Sequence, residues 1–240
     1  MSFVARKPTR LGIVVALFLS VGPVYSQTCA PPPGFVDTPH PVIGASDPFV
    51  SHTEEVTIER SLTIVLNAVD KPIKDTFKKT DSLPTVSGDY MLTSGDFGAP
   101  GSRRLTCLSD GGTVEEEVLE STRTSTSFRF RYVVWHYTSE RARPIAYAVG
   151  DFLYSEIGGA RTHINWTYSF RLKEGNFPGY LGAFGRFLFR KYFLEREFAD
   201  LMRGVLNGYK SDAEQRPTRR SALAFTKARA AALDFNQNRK

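Results

Sequence analysis

Read alternately, the residues between Gly159 and Leu172 fall into two columns. One holds Thr162, Ile164, Trp166, Tyr168, Phe170 and Leu172, the other His163, Asn165, Thr167, Ser169 and Arg171. Successive side chains of a strand point to opposite faces, so this is a strand with one continuous aromatic face and one polar face. Such a face cannot be left to water. The chain must supply a second apolar layer, either another sheet or a helix.

Upstream, short runs bounded by turn residues predict further strands, at about Val86 to Thr93, Ser102 to Leu108, Val114 to Ser121, Ser127 to His136 and Ala146 to Ile157. Asp110-Gly111-Gly112 and Gly158-Gly159 are hairpin signals, so these runs read as an antiparallel meander. Val56, Ile58, Leu62 and Ile64 share one parity and predict a first strand interrupted only by Arg60, followed by a short helix opened by Pro72 and carrying Ile73 and Phe77. In the run from Ser127 the inward column is Phe128, Phe130, Tyr132, Val134 and His136, with Arg129 and Arg131 in water. From Ala146 to Ile157 both columns fit an inward face, which leaves the face open and marks Gly150 as a candidate bulge. Beyond Pro178-Gly179, Phe184, Phe187, Leu188, Leu194, Phe198, Leu201, Met202 and Val205 recur at steps of three and four. That spacing predicts one long amphipathic helix running to about Asn207, the apolar layer that the sheet needs.

The two ends of the chain differ from its middle. Arg6, Lys7 and Arg10 precede an apolar run from Leu11 to Val21 and the small-residue pattern Val24-Tyr25-Ser26, which reads as a secretory signal peptide over residues 1–26. The run is short of the roughly 20 residues of a membrane span. The expected destination is periplasmic or secreted. Residues 27–50 are rich in proline and glycine and read as an extended arm, residues 51–210 as the domain, and residues 211–240 as a basic, mostly disordered tail.

The net charge of +6 includes three positive charges in the signal segment and seven Lys/Arg against three Asp/Glu from Ser211 to Lys240, so residues 27–210 carry −1. A domain of that balance gives no support to nucleic-acid binding, and only the tail has charge to offer an anionic surface. The two cysteines, Cys29 and Cys107, lie in the exported part. Export permits a disulfide that would pin the arm; two unpaired thiols are the alternative.

A strand, a short helical connection, a meander and a closing helix, with Pro100-Gly101-Ser102-Arg103-Arg104 entering a strand, Ser109-Asp110-Gly111 leaving it, Glu115-Glu116-Glu117 beyond the turn and Trp166 followed by Phe170, resemble the SRPBCC family. This is the START-related, polyketide-cyclase-like helix-grip family. The resemblance covers about Ser51 to Tyr209, with Phe77 where many members have a tryptophan. It implies an α+β helix-grip fold, a curved antiparallel sheet wrapped around a long C-terminal helix with a hydrophobic cavity between them.

It further implies binding of an apolar small molecule such as a lipid, sterol or polyketide. Cyclase or dehydratase chemistry in the same cavity is one alternative, and an interaction protein acting through its basic tail another. Candidate lining residues are Phe128, Phe130, Tyr132, Trp166, Tyr168, Phe170, Phe187 and Phe198, although each aromatic fits ordinary core packing as well.

Catalytic chemistry is thinly represented. His136, at the end of an inward column, is the one candidate general base, and a surface histidine is the alternative. Glu115-Glu116-Glu117 alternates faces, so at most Glu116 or the pair around it looks inward; otherwise the run is a solvated edge. The four histidines and two cysteines show no metal-ligand spacing, and no phosphate-binding glycine loop, dinucleotide fingerprint or nucleophile elbow occurs. No cofactor or metal is expected.

Overall fold

The computed structural model describes residues 29–76 and 83–215 of the 240. The expected signal peptide, Phe77 and the tail from residue 216 onward lie outside the described residues. Strands β1 (Val50–Ile58), β2 (Val86–Met91), β3 (Arg103–Leu108), β4 (Thr113–Arg123), β5 (Ser127–Trp135), β6 (Ile145–Ile157) and β7 (Arg161–Leu172) form one sheet. Its order is β1-β7-β6-β5-β4-β3-β2, with every neighbouring pair antiparallel. The meander thus runs without a crossover from β2 to β7, and β1 closes the far edge by pairing with β7. Helices α1 (Leu62–Val69), α2 (Ile73–Thr76), α3 (Gly182–Phe189) and α4 (Ala199–Gln215) complete the helix-grip arrangement, with α4 packed on β1 and α1.

The alternation in β7 is realised residue by residue: Thr162, Ile164, Trp166, Tyr168, Phe170 and Leu172 are all buried. Trp166 stacks on Phe152 of β6 at 4.5 Å between ring centres, and Phe170 meets Phe189, Phe193 and Phe198 of the helical layer. Burial of each such side chain stabilises the fold by about 1.5–3 kcal/mol relative to leaving it in water.

Four expectations are corrected. Leu62 and Ile64 do not extend the first strand, because the chain turns at Arg60-Ser61 and Leu62, Val65 and Ala68 are buried at the spacing of one helix face. The Thr162 hydroxyl donates to the Arg60 carbonyl and the Leu62 amide donates to Glu156, which ties that turn to the sheet. There is no bulge at Gly150: Tyr132, Gly150 and Tyr168 are directly opposed across β5, β6 and β7, and the irregularity of β6 falls between Ile145 and Tyr147.

The closing helix is not uniform, since Arg190–Phe198 is a π-helical segment between α3 and α4. A π turn holds more residues than an α turn, so the phase extrapolated back from α4 fails in α3. Gly185 and Phe189 face inward there, while Phe184 and Phe187 are 60% and 52% exposed. Lastly, α4 continues to Gln215, so Ser211–Gln215 are helical instead of opening the tail.

The sheet's other face carries a second cluster, Val133, Trp135, Tyr147 and Val149, covered by Ile43 and Phe49 of the arm. This explains why β6 gave no parity signal. Ala148, Phe152 and Tyr154 lie beneath the helices and Tyr147 and Val149 beneath the arm, while Leu153, further along the arm-side column, is exposed. The arm is held covalently by a disulfide between Cys29 and Cys107. It is also held by Tyr147, whose hydroxyl donates to Asp47, and by Arg103, which donates to the Thr38 carbonyl and pairs with Asp37.

Candidate functional site

Between the concave sheet face and the helices lie two adjoining compartments. The outer one, of about 460 Å³, is walled on the sheet side by Phe128, Phe130, Tyr132, Phe152 and Tyr154 and on the helix side by Leu66, Val69 and Tyr209. Asn67, Asp70, Lys71 and Arg123 form its polar rim. The inner one, of about 150 Å³, is walled by Val114, Val134, Ile145, Tyr168, Phe170 and, from the helical layer, Phe193, Phe198 and Leu201. Tyr132 borders both.

The partition between them is built by β3, β4 and β5. Arg104 and Glu116 are direct cross-strand partners, and Arg104 Nε donates to Glu116 Oε2 at 2.6 Å. Only 13% and 8% of the two side chains is exposed. Arg104 lines the outer compartment and Glu116 the inner, so the ion pair bridges them. The guanidinium carbon also lies 3.8 Å from the ring centre of Phe97, a cation–π contact that covers its other face. A buried charge pair has value only when its geometry is good, and here one short charge-assisted bond meets that condition.

Next to the pair, Tyr132, Tyr168 and Tyr137 form a hydrogen-bonded series. Burial, with Glu116 nearby, pushes all three phenols above their ordinary value, which keeps them protonated as donors at neutral pH. Thr106 lines the inner compartment, and its hydroxyl oxygen is buried without a hydrogen-bond partner among the described residues. Thr106 is itself only 1% exposed, so the residue lies in the wall with its hydroxyl turned away from the open space.

The residues expected to line a cavity separate into three groups. Phe128, Phe130 and Tyr132 border the outer compartment; Tyr132, Tyr168, Phe170 and Phe198 border the inner one. Trp166 belongs to the right column but borders neither, being wholly buried behind Phe152. Phe187 faces solvent.

His136 requires the plainest correction. It has φ 53°, a left-handed conformation that breaks the alternation of β5. Its ring therefore leaves the concave face, Nδ1 lies 2.5 Å from Oε1 of the fully buried Glu115, and Phe35 of the arm stacks against it at 6.5 Å. Glu115 also accepts from Arg103 at 2.9 Å. This cluster clasps the arm on the convex side and has no access to either compartment.

Sequence reading missed Arg104 and Thr106 and left Glu116 undecided. Hydrophobic alternation held no signal for them, because β3 carries apolar residues in both columns, Leu105 and Cys107 in one and Leu108 in that of Arg104 and Thr106. A usable signal was present in charge: Arg103-Arg104 and Glu115-Glu116-Glu117 are placed symmetrically about Asp110-Gly111, so a tight hairpin sets them opposite each other.

No protein-family profile matches the sequence, and no curated protein matches it. Among solved structures, norcoclaurine synthase from Thalictrum flavum superposes with a TM-score of 0.49 at 9% identity, covering 77% of this chain and 98% of that one. The Zhui aromatase/cyclase from Streptomyces sp. R1128 does so with a TM-score of 0.48 at 14% identity, over 71% of this chain and 97% of its own. Ara h 8.0201 gives a TM-score of 0.48 at 13% identity, over 70% of this chain and 99% of its own.

Proposed function

We propose that this chain is an exported binding protein for an apolar small molecule of the lipid, sterol or polyketide kind, held between the sheet and the closing helix. The observation that carries the proposal is the pair of compartments joined at Arg104–Glu116. An ordinary core has no use for a nearly buried ion pair set between two open compartments. The outer volume of 460 Å³ falls within the roughly 300–1,000 Å³ of small-molecule sites. The inner volume of 150 Å³ equals that of an apolar cavity known to accept one benzene ring, at about 150 Å³. The ligand that fits is therefore amphipathic. Its apolar part fills the chambers and its hydrogen-bonding groups meet Glu116 and Arg104 at the partition.

Export is supported by the order of charged, apolar and small residues over 1–26 and by the Cys29–Cys107 disulfide, which persists in oxidising compartments. The exported form begins at Gln27 in this reading, which intact-mass measurement of secreted or periplasmic material checks directly.

Native mass spectrometry of protein purified from its own exporting cell should show a retained small molecule. Delipidated protein should bind a fluorescent fatty-acid or sterol probe, and Phe128→Ala, at a partly buried wall position of the outer compartment, should change that binding while leaving the fold intact. Failure of delipidated wild type to bind any such probe, with no molecule retained, would end the carrier reading.

A further inference from the structure

The outer side of α3 is a ridge of aromatic rings in water. Phe184 and Phe187 stand three apart on α3 and, in the 3-10 turn Gly179–Leu181 that leads into it, Tyr180 lies 6.1 Å from the Phe177 ring; each of the four has more than half its surface exposed. Phe184 and Phe187 stack on each other at 6.4 Å. The inner side of the same helix is already committed, since Phe189 packs on Phe170 and Gly185 lies against the Pro178 carbonyl, where a β-carbon would come within 1.8 Å. Charge along this stretch is one-signed. From Phe177 to Leu194 there is no Asp or Glu, while Arg186 and Arg190 sit on or just beyond the ridge, and Lys191 beside them is paired with Glu195.

We infer that this ridge is a docking surface for an anionic lipid bilayer. Exposed rings flanked by cations are the combination that partitions into the headgroup region, the rings entering the acyl boundary and the cations meeting lipid phosphates. Shape favours a fluid surface over a folded partner. The rings stand out as a ridge, which lipids can close around, whereas a protein would need a matching groove. The helix continues from the ridge into the π segment, whose Phe193 and Phe198 wall the inner compartment, so contact at the bilayer is joined by one helix to the chamber wall. The docking stands on the exposed residues of α3 and of the segments on either side of it and does not require the ligand-binding reading.

The test is co-sedimentation of the full chain with phosphatidylcholine vesicles with and without phosphatidylglycerol, compared with the Phe184→Ser/Phe187→Ser variant. Both positions are exposed, so the variant should keep its circular dichroism and its melting temperature. Wild type should bind the anionic vesicles, lose binding as salt rises, and bind about tenfold or more tightly than the variant. In Phe184→Trp, the added emission should be quenched by brominated acyl chains, while Trp135 and Trp166, 4% and 0% exposed, should not be. Equal vesicle binding by wild type and variant would overturn the proposal and move the contact to the basic tail. So would absence of quenching at position 184, or a self-association of wild type that the double substitution abolishes. Loss of probe binding in the cavity would bear on the proposed function and not on this surface.

Discussion

Tyr132 lies across the bare backbone of Gly150. The two are direct cross-strand partners, and a β-carbon at Gly150 would come within 2.3 Å of Tyr132 Cζ and 2.6 Å of its hydroxyl oxygen. The glycine is thus what lets a tyrosine ring lie flat in mid-sheet and divide the interior, and it is required by close approach, with no positive φ involved.

Gly150→Ala should accordingly displace the Tyr132 ring and open one compartment into the other. Overpacking of this kind costs about 1–3 kcal/mol, so the melting temperature should fall while the cavity accepts longer probes. Tyr132→Leu combined with Gly150→Ala should restore most of the stability, because the clash is with the ring. Chemical denaturation of the three variants checks this; an unaltered melting temperature in Gly150→Ala would show that the ring has room to move.

The partition pair should behave as a buried ion pair. Arg104→Met alone leaves Glu116 charged in an apolar wall and should cost about 3–5 kcal/mol, whereas Arg104→Met with Glu116→Leu should recover much of that loss. Both variants should bind apolar probes, but the double variant should lose preference for ligands carrying a hydroxyl or carboxyl group. A purely additive pair of losses in the double-mutant cycle would show that the two side chains are not coupled.

Reduction should release the arm before it unfolds the sheet. Cys29 and Cys107 are 78 residues apart, and closing a loop of that length restricts the unfolded chain by roughly 4 to 5 kcal/mol. The fold subjected to Cys29→Ser/Cys107→Ser should therefore lose stability by up to about that amount, with Trp135 becoming accessible to a collisional quencher ahead of Trp166. Equal stability with and without the bond would mean that Arg103, Asp37 and Tyr147 hold the arm unaided.

The sequence made the fold legible wherever one face of an element is wet. β7 is the clearest instance, since only its concave side is covered by helices and its polar column looks outward. β6 is opaque for the opposite reason: arm and helices bury both faces of its first half and an apolar residue, Leu153, is exposed further along, and nothing in residues 31–33, three consecutive prolines, announces that the arm covers a second apolar cluster. At the site, the aromatic walls Phe128, Phe130, Tyr132, Tyr168 and Phe170 follow from parity and Phe198 from helical spacing. The polar centre does not, because Arg104 and Thr106 share the concave column of β3 with Leu108 while Leu105 and Cys107 hold the other, so that strand has no clean alternation. His136 and Phe187 went astray through backbone geometry that no periodicity encodes, a single left-handed residue in one case and a π segment in the other.

The interior tyrosines should set the alkaline limit of the fold. Burial raises Tyr132, Tyr154 and Tyr168 well above the ordinary phenol value of about 10, raises Tyr137 likewise, and pushes Tyr209 up to about 12. Above pH about 10 the unfolded chain releases phenol protons that the folded chain keeps, so fewer protons are bound in the unfolded state and stability falls as pH rises. Each retained proton contributes a slope of about 1.4 kcal/mol per pH unit until its folded value is reached. The stability is fully present below pH about 10 and is lost upward from there. Phenolate absorbance followed together with ellipticity should therefore show these tyrosines ionising in one step with loss of the fold, and Tyr154→Phe should shift that step to higher pH. Gradual ionisation of the same residues near pH 10, with ellipticity unchanged, would mean that water reaches the compartments freely and that their walls are not dry.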